Sequence, residues 1–385
     1  MRETFLPFAR PSITDAEIEA VVETLRSGWI TAGPQVEEFE RQFALYVGAQ
    51  HAVSVSSATA GLHLTLQALG IGSGHEVITT SLTWPSTVNM IHNSGAQPVF
   101  TDIDRATLQL DPERVAEMVT PRTRAIVPVH FGGQPADIGM LREICRQHNL
   151  VLIEDAAHAV GTEYQEHRIG DGTNPAIFSF HAIKNLTTGE GGMVTTNDDA
   201  LARKLRSLRF HGVDKDAWKR HAQTERNVYD LVEPGWKYNL TDLQAAIGLA
   251  QLKRLDDLLR QRSELAHAYD TLFAELPQIR RPERVRYPHL HSWHLYTILV
   301  DREHTGLDRD EFRQELMQRS IGTGLHFLAV HQLSFYQEPG RFKSGQLEQT
   351  EHIAARILSL PLFPGMTTKD VEDVVAAIRD VMGSR

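Results

Sequence analysis

The sequence predicts an α/β protein with a mostly parallel sheet, helices on both faces, and a smaller α+β domain after it. Short strand-like runs alternate with helical stretches over residues 50–200. Some of these runs, such as Ile126–Val129 and Val151–Ile153, are apolar throughout, which is typical of strands covered on both faces. After Pro277 the chain has fewer strand-like runs.

The length and the charge limit the classes of protein to consider. A chain of 385 residues favours two or three domains, and we place the boundary near residue 260, giving a large domain over 1–260 and a small one over 261–385. The net charge of −10 disfavours binding to nucleic acid or to an anionic membrane. The single cysteine, Cys145, excludes an intrachain disulfide and a cysteine-based metal site.

Neither a signal peptide nor a membrane span is predicted. The first residues, Met1–Pro7, lack an apolar stretch, and no apolar run approaches the roughly 20 residues that cross a bilayer. We therefore expect a cytoplasmic protein.

The predicted elements begin with two helices. Residues 14–27 form the first, because Thr14 and Glu17 have capping-box spacing and Gly28 ends the pattern. Its apolar residues share one face, and a second helix runs from Pro34 to Gly48. Seven strands are expected next: Ala52–Val55, Val77–Thr80, Pro98–Thr101, Ala125–His130, Val151–Glu154, Ile177–Phe180 and Met193–Thr196.

Beyond the sheet, the sequence predicts one long helical stretch from Thr241 to Leu276. The C-terminal part is expected to contain two strands, Leu295–Val300 and Gly322–His326. Three helices complete it: Arg309–Arg319, Glu348–Ala355 and Lys369–Met382.

Chemically capable residues follow several of these strands. Asp155 ends a buried strand, and the C-terminal end of a parallel strand faces the crevice where α/β proteins bind ligands. Lys184 leaves another strand before the Gly189–Gly192 turn, where burial can lower the pKa of an amine and make it nucleophilic. Taken alone, Asp155 would be interpreted as a helix cap and Lys184 as a surface lysine.

A third motif favours a functional interpretation of Asp155 and Lys184 over a structural one. Residues Ser56–Gly61 follow a strand and open a helix, so their backbone N–H groups and hydroxyls suit a phosphate. A lysine, a carboxylate and a phosphate-binding helix start are together the parts of a pyridoxal 5′-phosphate (PLP) site.

The chain resembles the DegT/DnrJ/EryC1/StrS family of nucleotide-sugar aminotransferases over essentially its whole length. This resemblance implies a fold-type I PLP-dependent transferase. The motifs that carry it run in family order: Ser27–Pro34, Ser56–Gly61, Glu154–His158, Phe178–His181, Lys184–Asn185, Gly189–Gly192 and Tyr238–Asn239.

Within the family, the chain is most similar to members that aminate a UDP-4-keto-pentose for lipid A modification, which gives polymyxin resistance. The stretches that carry this likeness are Leu82–Trp84, Val129–Asp137, Ser292–Leu295, Ile321–Phe327 and Ser359–Pro364. The stretch from His211 to Glu233 keeps only part of that pattern, including Asp216–Trp218.

The resemblance also implies a role for each catalytic residue. Lys184 would bind the cofactor as a Schiff base and then move the proton between the substrate carbon and the cofactor. Asp155 would keep the pyridine nitrogen protonated, so that the ring acts as an electron sink. Trp84 would stack on the ring, and His158 would approach its phenolic oxygen. Without the resemblance, Trp84 and His158 would be read as core residues.

The remaining implied roles concern the phosphate, the subunit interface and the substrate. The phosphate would be held by Ala58, Thr59 and Ser179. Asn239 matches a position that family members contribute from the neighbouring subunit, which implies a homodimer with shared sites. The positions assigned to the sugar substrate are Trp29, Thr31, His181 and His326.

The implied reaction is ping-pong. L-glutamate would donate its amino group and leave as 2-oxoglutarate, and the pyridoxamine phosphate formed would aminate the 4-keto sugar. Three related possibilities remain open: a dTDP- or GDP-linked keto-deoxyhexose as substrate, a sugar dehydratase and a non-catalytic relative. Lys184 argues against the dehydratases, which carry histidine there, and the retained site residues argue against a loss of catalysis.

Two further sequence patterns, one of glycines and one of histidines, are weaker indications of a binding site. The glycines of Gly70–Gly74 precede a strand instead of following one, so they indicate a helix stop and turn rather than a dinucleotide loop. The histidines of His289–His294 have no cysteine or carboxylate beside them, which favours a structural or substrate-rim role over a metal site.

Overall fold

The computed structural model describes residues 2–213, 230–338 and 343–383. Helices and strands alternate through the first half, as the sequence predicts. The helices are α1 (Asp15–Ser27), α2 (Pro34–Val47), α3 (Ala58–Ala68), α4 (Pro85–Asn93), α5 (Pro112–Met118), α6 (Ile138–His148), α7 (Asp199–Leu208), α8 (Asp242–Lys253), α9 (Leu255–Phe273), α10 (Arg302–Thr305), α11 (Arg309–Gln318), α12 (Glu348–Ala354) and α13 (Thr368–Gly383).

The strands fall into a central sheet and smaller pieces. They are β1 (His51–Val55), β2 (Glu76–Thr80), β3 (Gln97–Thr101), β4 (Thr123–Val127), β5 (Val151–Leu152), β6 (Glu154–Asp155), β7 (Glu163–Tyr164), β8 (His167–Arg168), β9 (Ala176–Ser179), β10 (Gly192–Thr196), β11 (His289–Leu290), β12 (Tyr296–Leu299), β13 (Lys343–Ser344) and β14 (Ile357–Leu360).

All seven expected strand regions lie in the central sheet. One part has the order β13-β3-β2-β4-β5 and is entirely parallel. The other has the order β1-β10-β9-β6, in which β10 is antiparallel to both of its neighbours. A parallel bridge between Val129 and Asp155 joins the two parts. The sheet is therefore mostly parallel, and the predicted α/β fold is confirmed.

Two predicted elements in the second half differ from the structure. The long helical stretch is broken at Arg254, whose side chain turns to Glu17 and to the Ser12 carbonyl. The expected strand Gly322–His326 is not regular. Its backbone bonds to the N-terminal segment at one residue and to β14 two residues later, so it makes only isolated bridges.

The apolar face of α1 is exposed rather than buried. Ile18 and Leu25 are 54% and 53% exposed, whereas Glu17 and Thr24 point inward and are buried. The predicted capping box is present, and the Glu17 carboxylate also accepts hydrogen bonds from Gln251 in α8 and from the Arg254 side chain. Polar bonds to α8, not apolar packing, therefore attach α1 to the rest of the chain.

Helix α9 links two hydrophobic clusters. Leu255 packs with the residues that cover the central sheet, while Leu265, Tyr269 and Phe273 pack into the core of the C-terminal part. Leu6 joins the second cluster and pairs with Ile321, so the N-terminal segment crosses to the C-terminal part.

Two further findings concern individual segments. Helix α3 ends at Ala68, and Gly70 follows in a left-handed conformation with φ 67°, as expected for a helix stop and turn. Among the described residues, no helix has the length and apolarity needed to cross a membrane.

Candidate active site

The predicted site residues lie where several strands end at one edge of the sheet. Strand β6 ends at Asp155, and β9, which runs parallel to it, ends at Ser179. Strand β1 ends at Val55, directly before α3. Because the C-terminal ends of parallel strands meet at one edge, a carboxylate, a hydroxyl and a helix N-terminus face the same crevice.

The strand register brings the start of α3 close to Ser179. Gly192 in β10 lies opposite Ser179 on one side and Val55 on the other. A Cβ atom at Gly192 would lie 2.6 Å from both the Ala58 nitrogen and the Ser57 carbonyl carbon. The helix start therefore fits against the sheet only because residue 192 lacks a side chain.

The Asp155 carboxylate is nearly buried and held in place from two sides. Thr87 in α4 donates its hydroxyl to one carboxylate oxygen at 2.6 Å. The Ala157 N–H donates to the other oxygen at 3.1 Å. The side chain therefore has few alternative orientations.

Lys184 ends a turn that follows β9, and its N–H donates to the His181 carbonyl at 2.9 Å. Burial of the amine lowers its pKa to about 8, although the charge of Asp155 acts in the opposite direction. The sequence-based expectation of a lowered lysine pKa is thereby confirmed. Close to neutral pH, a useful fraction of this amine is free base.

His158 is buried beside Lys184. Its Nδ1 accepts a hydrogen bond from the Gly132 N–H at 3.3 Å, so Nε2 carries the proton of the neutral ring. Burial lowers its pKa well below the ordinary value, and the charges of Lys184 and His326 act in the same direction. The ring is therefore a neutral hydrogen-bond donor at Nε2.

Aromatic side chains form a wall of the crevice. Trp84 precedes α4 and is 63% exposed, with its ring 6.2 Å from that of Phe327. His326, which precedes Phe327 in the chain, shares a hydrogen bond of 2.9 Å with the Ser359 hydroxyl. Burial lowers the pKa of His326 to about 4, with a contribution from Lys184.

The contacts of the remaining predicted residues are mostly local. The hydrogen bonds of Trp29 and Thr31 are made within the α1–α2 loop and to the start of α8. His181 is exposed, with its ring nitrogen 3.9 Å from the Glu190 carboxylate. The Asn239 amide donates to the Leu240 carbonyl. Asp216–Trp218 lie outside the described residues.

Sequence reasoning missed three supporting residues. Thr87 orients Asp155, Gly132 fixes the His158 tautomer, and Phe327 packs against the His158 ring at 5.7 Å. Phe327 directly follows His326 in a stretch that carried the family likeness, which is a signal that could have identified it. Gly132 lies in another of these stretches, Val129–Asp137, whereas Thr87 offers no such signal.

The described part of the chain contains no group of three or more histidine, cysteine or carboxylate side chains able to bind a metal. Within the histidine-rich stretch, His291 stacks on Trp293, while His294 packs against His158.

Several solved structures are similar to this chain over nearly its whole length. S. venezuelae DesV is 36% identical, with a TM-score of 0.85, and the match covers 94% of this chain and 93% of that chain. Spr1654 from Streptococcus pneumoniae, solved in a PLP form, is 31% identical, with a TM-score of 0.89 and 99% of each chain covered. DesI, solved with its TDP-sugar product, is 32% identical, with a TM-score of 0.89, covering 100% of this chain and 95% of that chain.

A family match extends over residues 11–379, which is nearly the whole chain. Its extent leaves no large part of the chain outside the comparison. The protein belongs to the DegT/DnrJ/EryC1/StrS aminotransferase family, and it is a PLP-dependent aminotransferase of fold type I.

Proposed function

We propose that the protein transfers the amino group of L-glutamate to a nucleotide-linked 4-keto sugar, namely a UDP-4-keto-pentose. The product would be UDP-4-amino-4-deoxy-L-arabinose, used to modify lipid A. The observation that carries amino transfer is Lys184, an amine with a pKa of about 8 beside the Asp155 carboxylate. The choice of sugar rests on the sequence stretches that include Trp84 and Ser292–Leu295.

The residues present fit PLP. The N-terminus of the 11-residue helix α3 faces the crevice, where the N–H groups of Ala58 and Thr59 and the Ser179 hydroxyl would hold the phosphate. The fixed Asp155 carboxylate suits the pyridine nitrogen. The Lys184 amine is the group that would join the cofactor covalently.

The protein residues then have separate tasks. Bound PLP supplies an electron sink for the charge that develops on the amino acid carbon. The Lys184 amine, when it is not bonded to the cofactor, would accept the proton from that carbon. His158, with its proton at Nε2, would donate a hydrogen bond to the phenolic oxygen, and Trp84 would cover the ring. Asp155 would balance the charge on the protonated ring nitrogen.

We assign the substrate pocket to Trp29, Thr31, His181 and His326. His326 supports this assignment, because its ring is neutral and its Nδ1 is already engaged by Ser359, which leaves Nε2 for a sugar hydroxyl. We also propose a homodimer with shared sites, in which Asn239 reaches the neighbouring subunit's cofactor. The exposed apolar face of α1, with Ile18 and Leu25, supports a subunit contact there.

A second candidate substrate is a dTDP-linked keto-deoxyhexose. The observation in its favour is the similarity to DesI, which was solved with a TDP-sugar. A panel of UDP- and dTDP-keto sugars, assayed with L-glutamate, separates the two candidates by their kcat/KM values.

The first experiment is a visible absorption spectrum of the PLP-loaded protein before and after adding L-glutamate. We expect a visible band that bleaches with glutamate, because the amino group moves to the cofactor. Lys184→Ala and Lys184→Arg are expected to abolish turnover while the protein remains folded by circular dichroism. Near wild-type turnover in either variant, or no visible band after incubation with PLP, would contradict the assignment.

A further inference from the structure

A segment of the C-terminal half reaches across the molecule to the active site. The Ser292 N–H donates to the Gly133 carbonyl at 3.0 Å, and the Leu295 N–H donates to the Gly132 carbonyl at 3.1 Å. Asn185, the neighbour of Lys184, donates its side-chain amide to the Ser292 carbonyl at 2.8 Å. The segment is therefore attached both to the loop that orients His158 and to the turn that carries Lys184.

His294 is the side chain of this segment that meets the site. It is 3% exposed, and its ring centroid lies 4.3 Å from that of His158, with an interplanar angle of 42°. The His158 ring also contacts Phe327 at 5.7 Å, nearly in parallel. Together with the Gly132 N–H, these contacts fix both the orientation and the tautomer of His158.

Packing alone does not explain a histidine at position 294. Neither ring nitrogen of His294 has a hydrogen-bond partner among the described residues. A buried polar atom without a partner destabilises the folded state, and an apolar side chain would avoid that penalty. A polar ring kept in an unfavourable position points to a role in the reaction.

The charged and titratable groups that face His294 come from four parts of the chain. They are His158, Lys184, Arg262 in α9 and His326. Burial lowers the pKa of His294 well below the ordinary value, and all four groups act in the same direction. The ring is therefore neutral, and it places no second positive charge beside Lys184.

We propose that His294 is a positioning residue that acts through His158, holding that imidazole where its Nε2–H meets the phenolic oxygen of PLP. The proposal rests on the role proposed above for His158. The five-membered His294 ring sets the distance at which His158 packs, so the larger ring of phenylalanine would displace His158. Asn185 and the Gly132–Gly133 loop hold this ring pair in fixed relation to Lys184.

A double-mutant cycle tests the proposal. The variants are His294→Phe, His158→Phe and the double substitution. The measurements are the dissociation constant of PLP, the absorption maximum of bound PLP and the melting temperature of the PLP-free protein. His291→Phe is the matched control, because His291 is also buried and ring-stacked but packs on Trp293.

We expect His294→Phe to raise the PLP dissociation constant about tenfold and to shift the absorption maximum. The tenfold change corresponds to 1.4 kcal/mol, in the range of one hydrogen bond. The PLP-free variant should melt at or above the wild-type temperature, since two unpartnered nitrogens are removed. In the His158→Phe background, His294→Phe should have no further effect on PLP binding. His291→Phe should leave PLP binding unchanged.

Unchanged PLP binding in His294→Phe, or effects of His294→Phe and His158→Phe that simply add, would overturn the proposal. An unaltered dissociation constant in His158→Phe would do so as well, by removing the residue through which His294 acts. The proposed function fails separately, through loss of the wild-type visible band. If His294→Phe does not fold, His294→Gln replaces it in the same cycle. Because glutamine has no ring to pack against His158, the same loss of PLP affinity is expected, and wild-type affinity would count against the proposal.

Discussion

In the PLP-free protein, burial and the charge of Asp155 act on the Lys184 amine in opposite directions. The amine must be present for covalent chemistry, yet the surrounding protein disfavours its charged form and lowers its pKa from 10.5 to about 8. Asp155, whose charge favours the ammonium, offsets only part of this effect. An active-site charge that weakens the fold is common where a catalytic pKa must be tuned.

This conflict predicts a pH-dependent stability. Below pH 8 the folded and unfolded chains both hold the proton, so Lys184→Met should make the PLP-free protein more stable by about 1–3 kcal/mol. Between pH 8 and 10.5 the folded wild type has released this proton, whereas the unfolded chain still holds it. The free energy of unfolding of the wild type therefore rises with pH, and the stability advantage of Lys184→Met shrinks. Urea unfolding at pH 7 and pH 10 measures the difference. An advantage that stays constant with pH would show that the charge is not its cause.

Asp155 yields a second prediction at this scale. Asp155→Ala removes the carboxylate that Thr87 and Ala157 hold in place, and turnover should fall about 100-fold or more, as when a fixed electrostatic partner is lost. Asp137→Asn is the control, because asparagine caps α6 as well as aspartate does. The check is kcat with saturating PLP, and normal turnover of Asp155→Ala would refute the role.

At the scale of elements, the start of α3 and strand β10 depend on each other. Helix α3 begins with the Ser57 hydroxyl accepting from the Ala60 N–H, which leaves the N–H groups of Ala58 and Thr59 for a ligand. Gly192 allows β10 to pass directly beneath. The phosphate site is thus a property of two packed elements rather than of the Ser56–Gly61 motif alone.

Gly192→Ala tests this dependence. The added methyl would lie 2.6 Å from backbone atoms that cannot move independently, so we expect a loss of about 1–3 kcal/mol in stability and weaker PLP binding. Gly345→Ala is the control, since its methyl would meet only the flexible Met118 side chain. PLP titration and urea unfolding measure both effects. Wild-type PLP affinity in Gly192→Ala would show that the close approach is not needed.

At the scale of the whole molecule, α9 connects the central sheet to the C-terminal part. We propose a division into two domains near residue 260, which lies within this helix. Arg262 extends from α9 and is 3% exposed. One of its terminal nitrogens, Nη1, donates to the carbonyls of Trp293, His294 and Leu362. Burial lowers its pKa to about 10. A single side chain therefore satisfies three carbonyl groups of the C-terminal part.

Arg262→Met is expected to destabilise the protein by about 3 kcal/mol, because it leaves these buried carbonyls without a donor. Arg260→Met, two residues away on the same helix, removes only exposed ion pairs and should change stability by less than about 1 kcal/mol. Urea unfolding of the PLP-free proteins compares the two. Equal effects would indicate that the Arg262 hydrogen bonds are not specifically stabilising.

The fold and the chemical centre were largely predictable. Apolar runs, caps and glycines act over a few residues. They therefore indicated the seven strand regions, the α1 capping box, Asp155 at a strand end and Lys184 beyond the end of another strand. The C-terminal part was less predictable, because Gly322–His326 bonds to two distant segments and Arg254 interrupts a continuous helical pattern.

The sequence by itself determined the order of elements, the family and the lysine–carboxylate pair, because each depends on residue type and local spacing. Only the tertiary structure decided that Thr87 holds Asp155 across 68 positions, that the apolar face of α1 points outward, and that His294 meets His158. Contacts between residues far apart in the chain leave no periodicity in the sequence. They follow from packing and register once the whole chain has folded.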